Sequence, residues 1–586
     1  MSADPLSPEQ GSYQFAQEML RQVAYDTLSR RDRKARHLKV AAHLRAAFPG
    51  DGEEVTDVIA RHYLDALEAV PGDPDAGQIR EQAIGTLIRA AERAERTGSP
   101  ARAAASYTAA AELRLAGPAG EAEAAAGQPS AGVLWERAAD AAQTNANWAR
   151  AIELAGQARD FYLAAGQARA AARARAIVGR TLFFWGRFTD AREQLTSAVE
   201  VLRADPDIDT VRGLRDLAGV EAATGSADAD GLSAEALTLG QALGVSGREL
   251  SELFRARGFY FLLTNRRPEA AAYYRESARL ADQAGDSRNL GLALVNLADI
   301  VVATDPGTAA ETARAAAGHL RRAGDRSVLA VAIGNLAQAL MMLGDWDTAG
   351  AELAQAADSD ALADFEFLTC ERAWLSALRG DVPAAQAALA GLTDLHVSED
   401  PQDTATVSMT EGFTAVARLQ PQAALRHARA ALAHAGALGI SHDCVRWTWP
   451  LAARAAYELR DTTTTGELLA LLAACQPGHL PPMLRAERDL TFARLAAGDH
   501  APSAAAAFAA AVSSLRELST PYHLAHGLLD HAQHLISLPD PDAAALAVDE
   551  ARTIAGRLRC QPLLDRAADL TTAATSVPAT EGRLRS

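Results

Sequence analysis

Lysine is almost missing from these 586 residues: Lys34 and Lys39 are the only two, against a heavy use of arginine. A GxxxxGK[ST] phosphate loop needs a Gly-Lys pair, but Lys34 follows Arg33 and Lys39 follows Leu38. That excludes Walker-type nucleotide binding, and it removes Schiff-base chemistry and kinase-type Lys–Glu pairs from nearly the whole chain. Cysteine is also scarce. Cys370, Cys444, Cys475 and Cys560 contain no CxxC spacing, which argues against a zinc ribbon or a disulfide framework and reads as reduced core thiols. Aromatics make up only 5%, and strand-type runs of Val, Ile, Thr and aromatics are few. No uncharged apolar run approaches the roughly 20 residues of a membrane span. The opening MSADPLSPEQGSYQF has neither the basic start nor the apolar stretch of a leader, so a cytoplasmic protein with no membrane partner is expected. GxSxG, HExxH and GxGxxG are absent too, and no nucleophile, base and orienter share a plausible spacing. The expectation is a protein without catalytic residues or a cofactor, not an enzyme.

What is present is alanine and periodicity. The chain is too long for one hydrophobic core, and its 49% apolar content leans on Ala, the best helix former and the residue that lets helices approach closely. A short turn signal, often Gly followed by a polar residue and then a helix start, recurs at Gly98, Asn147, Gly186, Gly225, Arg266, Asp305, Gly344, Gly380, Leu419, Arg460 and Gly498. From Gly186 onward the spacings are 39, 41, 39, 39, 36, 39, 41 and 38 residues. A unit of about 39 residues holds two antiparallel helices that cannot bury both faces alone, so the units must stack.

In GNLAQALMMLGDWDTAGAEL, Ala337, Gly344 and Ala349 fall where tetratricopeptide repeats place their small residues. The chain resembles that family over roughly 80 to 560, although its period exceeds the family's usual ~34. The resemblance implies an all-α fold, a right-handed α-solenoid of helix pairs with a period of about 39 residues. The expected layout is a disordered tail over 1–12, a distinct helical segment over 13–78, repeats over 79–570 with about 11–12 helix pairs and a looser loop at 116–132, and a disordered tail over 571–586.

The segment beginning YQFAQEMLRQVAYDTLSRRDRKARHLKVAAHLRAAF carries Phe15, Leu20, Arg21, Ala24, Tyr25, Leu28, Arg33, His37, Ala41 and Leu44, followed by Ala60, His62 and Tyr63. This pattern resembles the stretch after the ATPase module in STAND-type signal-transduction ATPases, including those fused to adenylate cyclase or LuxR-type output domains. Gln17 stands where that family usually has His. Glu550 to Leu570 resembles the last helical repeat of the same proteins. The resemblance implies the sensor arm of a bacterial regulator, lacking the ATPase and output domains. The alternative is a truncated or split piece of a STAND ATPase or cyclase whose catalytic domains are encoded upstream.

Three constellations are candidates for binding. Arg30, Arg31, Arg33, Lys34 and Arg36 form a basic docking segment, read as a solvated face or a surface for a separate ATPase or output protein ahead of an acidic partner or nucleic acid. His523, His526, His531 and His534 share one broad helical stripe, where i,i+3 pairs could approach a metal ion. Counting nine residues back from turn positions gives Arg89, Arg257, Asn296, Asn335, Glu371, Thr410 and Asp489, the row where peptide-clamping repeats often place Asn. Such amides both donate to and accept from a peptide backbone, so a protein or peptide in the solenoid groove is the expected partner. The net charge of -17 argues against a general nucleic-acid binder.

Overall fold

The Gly-Asp turns at Gly344 and Gly380 each join two capping devices. The Gly344 amide donates to the Met341 carbonyl (3.1 Å) and the Asp345 amide to the Leu340 carbonyl (2.9 Å), closing one helix with Gly344 at φ +78°. The Asp345 carboxylate then accepts from the Thr348 amide and caps the next helix, as Asp381 does for Ala384. In the computed structural model these turns separate helices throughout. The structure describes residues 23, 25–48, 50, 53–117, 128–359, 362–363, 365–398, 400–476, 478–538 and 541–576. Among them lie 28 α-helices and no strand.

Two helices come first, α1 (Arg30–Ala47) and α2 (Thr56–Ala69). Pairs follow: α3 (Ala76–Arg96) with α4 (Pro100–Leu115), α5 (Ala131–Thr144) with α6 (Trp148–Ala164), α7 (Ala168–Phe184) with α8 (Phe188–Leu202), and α9 (Ile208–Ala223) with α10 (Asp228–Leu243). Next are α11 (Gly247–Leu263) with α12 (Arg267–Gln283), α13 (Ser287–Val301) with α14 (Pro306–Ala323), α15 (Arg326–Leu343) with α16 (Trp346–Ala357), and α17 (Glu366–Arg379) with α18 (Val382–Ala390). The series ends with α19 (Pro401–Ala417) and α20 (Pro421–Leu432), the one-turn α21 (Ala435–Leu438), α22 (Asp443–Glu458) with α23 (Thr462–Ala473), α24 (Pro482–Gly498) with α25 (Ala504–Leu518), α26 (Pro521–Ile536) with α27 (Pro541–Leu558), and α28 (Gln561–Ser576). Ten of the eleven turn signals fall between the two helices of a pair, and the eleventh, Gly498, is the last residue of α24. The fold is an all-α solenoid. The last helix runs to Ser576, so residues 571–576, assigned by sequence to the tail, are helical; 1–12 and 577–586 lie outside the described residues, as do Phe15, Gln17, Leu20, Arg21 and Ala24.

The chain divides into two units, Met1–Asp216 with Arg322–Asp325 and Leu217–Arg321 with Arg326–Ser586. In the second, the first helices of successive pairs touch along the series α11, α13, α15, α17, α19, α22, α24, α26 and α28, so they share an inner face. That series curls until α17 touches α28. Gly344 and Gly380 sit on this closure: an added Cβ would meet Pro521 Cγ at 2.9 Å and Pro562 Cδ at 2.8 Å. Trp346, Trp374, Trp447 and Trp449 are all fully buried in the resulting core. Contrary to the reading of the apolar runs, α15 is long and apolar enough to cross a membrane. It is mostly buried in this core, where its Leu336, Leu340 and Met341 pack.

Among the described residues, six turns place a residue other than Gly in the left-handed region: Ala146, Asn265, Leu419, Arg460, His500 and Arg559. Leu419, at φ +58°, is 86% exposed and makes the same two closing bonds as Gly344, from Leu419 to Val416 and from Gln420 to Ala415. Leu419→Gly relieves the steric cost of that conformation and loses no burial. After the extra chain entropy of Gly is subtracted, a gain of roughly 0.5–1 kcal/mol is expected in urea unfolding; a loss would show that Leu419 is not strained.

Candidate functional site

The inner closure of the second unit changes the meaning of the row counted back from the turns. Glu371 is 1% exposed and Thr410 fully buried, so neither faces an open groove. Thr410 bonds its hydroxyl to the Thr406 carbonyl (2.9 Å), and Glu371 accepts from Gln338 Nε2 (2.7 Å). Asn296 donates to the Leu292 carbonyl (2.8 Å) within its helix, and Asn335 to the Val295 carbonyl (3.1 Å), tying α15 to α13. Arg257 donates to the Asp230 carbonyl (2.8 Å) and to Ser233 Oγ (2.6 Å), while Asp489 pairs with its neighbour Arg488 (3.0 Å). Arg89, in the first unit, is half-buried on α3. The structure thus spends much of this row on its own packing and backbone.

The basic segment splits in the same way. Arg30, Arg31 and Arg36 are exposed on α1. Lys34 is buried, donating to Asp73 (2.6 Å) and to Asp75 ahead of α3, so it staples helices together and is no docking residue. Arg33 stacks over the Tyr25 ring at 4.7 Å and donates to the Leu28 carbonyl.

The histidine stripe does not converge on a metal position. His523 and His526 point inward and are buried, whereas His531 and His534 lie against the Phe508 ring. His523 Nδ1 lies 2.7 Å from the hydroxyl of its helix cap Thr520. Among the described residues, the groups of three that bring possible ligand atoms within 4.8 Å of one another are His37, His62 and Asp65, and His442, Asp443 and Cys444.

A different constellation forms where α22, α24, α26 and α28 meet. Arg454 comes from α22, Glu487 and Arg494 from one face of α24 (i,i+7), His526 and Asp530 from one face of α26 (i,i+4), and Arg566 from α28. Asp530 accepts from Arg494 Nε (2.8 Å) and Nη2 (2.6 Å) and from Arg566 Nη2 (2.6 Å). Burial alone would raise the Asp530 carboxyl, but Arg494 and Arg566 outweigh it and hold it down at about 2. Burial pushes Glu487 up to about 7 despite Arg494 and Arg454. It also drives His526 well below its ordinary value, so the ring is neutral. Arg454 Nη1 lies 2.7 Å from His526 Nε2, and because a guanidinium only donates, the imidazole proton sits on Nδ1.

Four buried polar atoms of this cluster have no partner: Arg454 Nε, Arg494 Nη1, His526 Nδ1 and Glu487 Oε1. Three of them are N–H donors. Three guanidiniums face the ionised Asp530 and a Glu487 that is about half-protonated at neutral pH, and among the atoms left without a partner donors outnumber acceptors three to one. A cavity of about 560 Å³ reaches it, lined by Tyr457, Arg494, His500, Phe508, Asp530 and Gln533 among others. A second, of about 400 Å³, is lined by Arg267, Arg275, Ser441 and His479. Sequence reasoning passed over Arg454, Glu487, Arg494 and Arg566. The one available signal was ionisable residues at core spacing on four successive first helices, which without the fold is hard to tell from a solvated face.

No family model matches the chain, and no curated protein matches it. Among solved structures, it is similar to a Rap protein complexed with competence and sporulation factor, at 14% identity and a TM-score of 0.43, over 62% of this chain and 100% of that one. Human IFIT1, solved as a dimer with m7Gppp-AAAA, is similar at 12% identity and a TM-score of 0.39, over 69% of this chain and 89% of the other. A STAND protein with a tetratricopeptide repeat sensor from Pyrococcus horikoshii shares 11% identity at a TM-score of 0.34, over 68% of this chain and 65% of its own. Likenesses this distant carry no argument about function.

Proposed function

We propose that the chain is a non-catalytic binding and regulatory scaffold, the ligand- or partner-sensing arm of a bacterial signal-transduction or transcription-regulatory system, acting in the cytoplasm. Its partner is a protein or peptide that places a carboxylate in the cavity beside Arg494. The observation that carries this reading is Arg494, which lines that cavity and whose buried Nη1 has no partner, in a cluster whose unpartnered atoms are mostly donors. A guanidinium takes a carboxylate in directional, charge-assisted hydrogen bonds, and the exposed Tyr457 ring at the rim offers an apolar wall for the adjoining chain. The regulatory role rests on the resemblance of residues 13 to 64 to the STAND linker. The net negative charge describes the whole chain and not α1, so it excludes no nucleic-acid contact at Arg30, Arg31 and Arg36.

The test is fluorescence polarisation with a labelled Asp- and Leu-containing hexapeptide bearing a free C-terminus, compared with its neutral, amidated counterpart. The acidic peptide is expected to bind at least about tenfold more tightly, a difference of about 1.4 kcal/mol. Tyr457→Ala and Gln533→Glu should each weaken it by a similar factor without changing the far-UV spectrum. Equal affinity for both peptides, or binding indifferent to both substitutions, would remove the Arg494 cavity from the account.

A further inference from the structure

We propose that His37, His62 and Asp65 form a binding site for a divalent first-row transition-metal ion of the zinc class. His37 is carried by α1, and His62 and Asp65 lie three residues apart on α2, the helix packed against it. His37 Nδ1 is 2.9 Å from His62 Nδ1 and 3.5 Å from Asp65 Oδ2, and the three atoms lie within 4.8 Å of one another. All three residues are half-buried, which leaves a fourth position to water.

Proton bookkeeping favours an ion over a hydrogen-bonded trio. Two imidazole nitrogens and a carboxylate oxygen meet at one point, and at most one proton can be shared between any two of them. If His62 Nδ1–H donates to His37, the Asp65 carboxylate faces the occupied His37 nitrogen with no hydrogen between them. If His37 Nδ1–H donates, it serves His62 or Asp65 but not both. A dication satisfies all three at once. Its tetrahedral geometry, with Zn–N near 2.0–2.1 Å, asks for an N···N separation of about 3.3 Å, so the rings need to part by only a few tenths of an ångström. His37 Nε2 lies 2.9 Å from the Tyr25 hydroxyl, the kind of outer contact that fixes the tautomer and ring plane of a metal-ligating histidine. Arg33, over the Tyr25 ring, and Arg61 are the nearby cations that the ion must tolerate, and Asp65 offsets one of its charges.

The experiment uses the full chain, stripped with a chelator and dialysed. Zn²⁺ is titrated in competition with a chromophoric chelator, and Co²⁺ is followed by its visible absorption. One tight ion per chain is expected, with the intense Co²⁺ bands of four-coordination. His62→Gln and Asp65→Asn should each weaken it at least tenfold, and Tyr25→Phe by less. His442→Gln and His534→Gln should leave it unchanged, and circular dichroism verifies that each variant is folded. The absence of a tight ion in the unmodified chain, or a tight ion that survives in folded His62→Gln and Asp65→Asn, would overturn the site.

Discussion

Asp530→Asn is expected to destabilise the second unit by roughly 3–5 kcal/mol, because removing one partner of a buried ion pair strands the charge left behind. Here Arg494 is stranded in the core, and the partly exposed Arg566 keeps Gln533 but loses Asp530. Arg494 is 1% exposed and has its Nε and Nη2 on Asp530, and Arg566 reaches the other carboxylate oxygen. The neutral amide keeps the shape but turns one acceptor oxygen into a donor facing guanidinium hydrogens. The buried Trp346, Trp374, Trp447 and Trp449 all lie in this unit, so intrinsic fluorescence during urea unfolding reports the change. Asp530 also titrates below the ordinary carboxylate range, so its stabilisation is complete above that range and fades as the pH falls toward about 2. The variant should lose that acid-side slope. A change under about 1 kcal/mol would mean that water already solvates the two guanidiniums.

Glu371→Gln should act in the opposite direction. Burial, helped by the nearby charge of Asp443, raises Glu371 to about 8, and its Oε2 has no partner. A group whose folded value lies above its unfolded one stabilises fully below the ordinary glutamate value near 4.5 and loses that contribution as the pH rises through about 8. The glutamine keeps an oxygen to accept from Gln338 and carries no charge to desolvate. The expected result is little change at pH 5 and a gain of roughly 2–4 kcal/mol at pH 8.5, with a flatter stability profile between them. Equal stability of the two proteins at pH 8.5 would show that the ionised Glu371 is solvated after all.

These two residues show how unevenly the molecule could be read from its sequence. Glu371 was found by counting nine positions back from a turn, and the count identified a first-helix, inward-facing position. That position has a different meaning once the curl of the second unit closes over it. Trp346 meets Tyr522, with ring centroids 5.8 Å apart, and Cys560 Sγ donates to the Leu378 carbonyl at 3.1 Å, contacts between residues more than 170 positions apart. No periodicity records such a pairing. The histidine stripe failed for a related reason: helical spacing tells which side chains share a stripe, but the neighbouring helices decide that His523 and His526 go into the core while His531 and His534 rest on Phe508. His37 and His62 were in view only as parts of a family pattern, and Asp65 not at all. Their convergence depends on how α1 lies on α2.

The sequence by itself determined the helices, their pairing and the turns between them. Those are short-range matters, set by alanine-rich helical spacing, by a left-handed residue closing one helix and by a side-chain cap opening the next, all within a few residues. It also excluded a Walker-type phosphate loop, because that motif needs a Gly-Lys pair. Tertiary structure alone decided which inward positions remain open. Each repeat adds a small rotation to the last, and only the accumulated rotation brings α17 to α28, fills the inner face with tryptophan, and leaves Arg454, Arg494 and His526 with unpartnered donors.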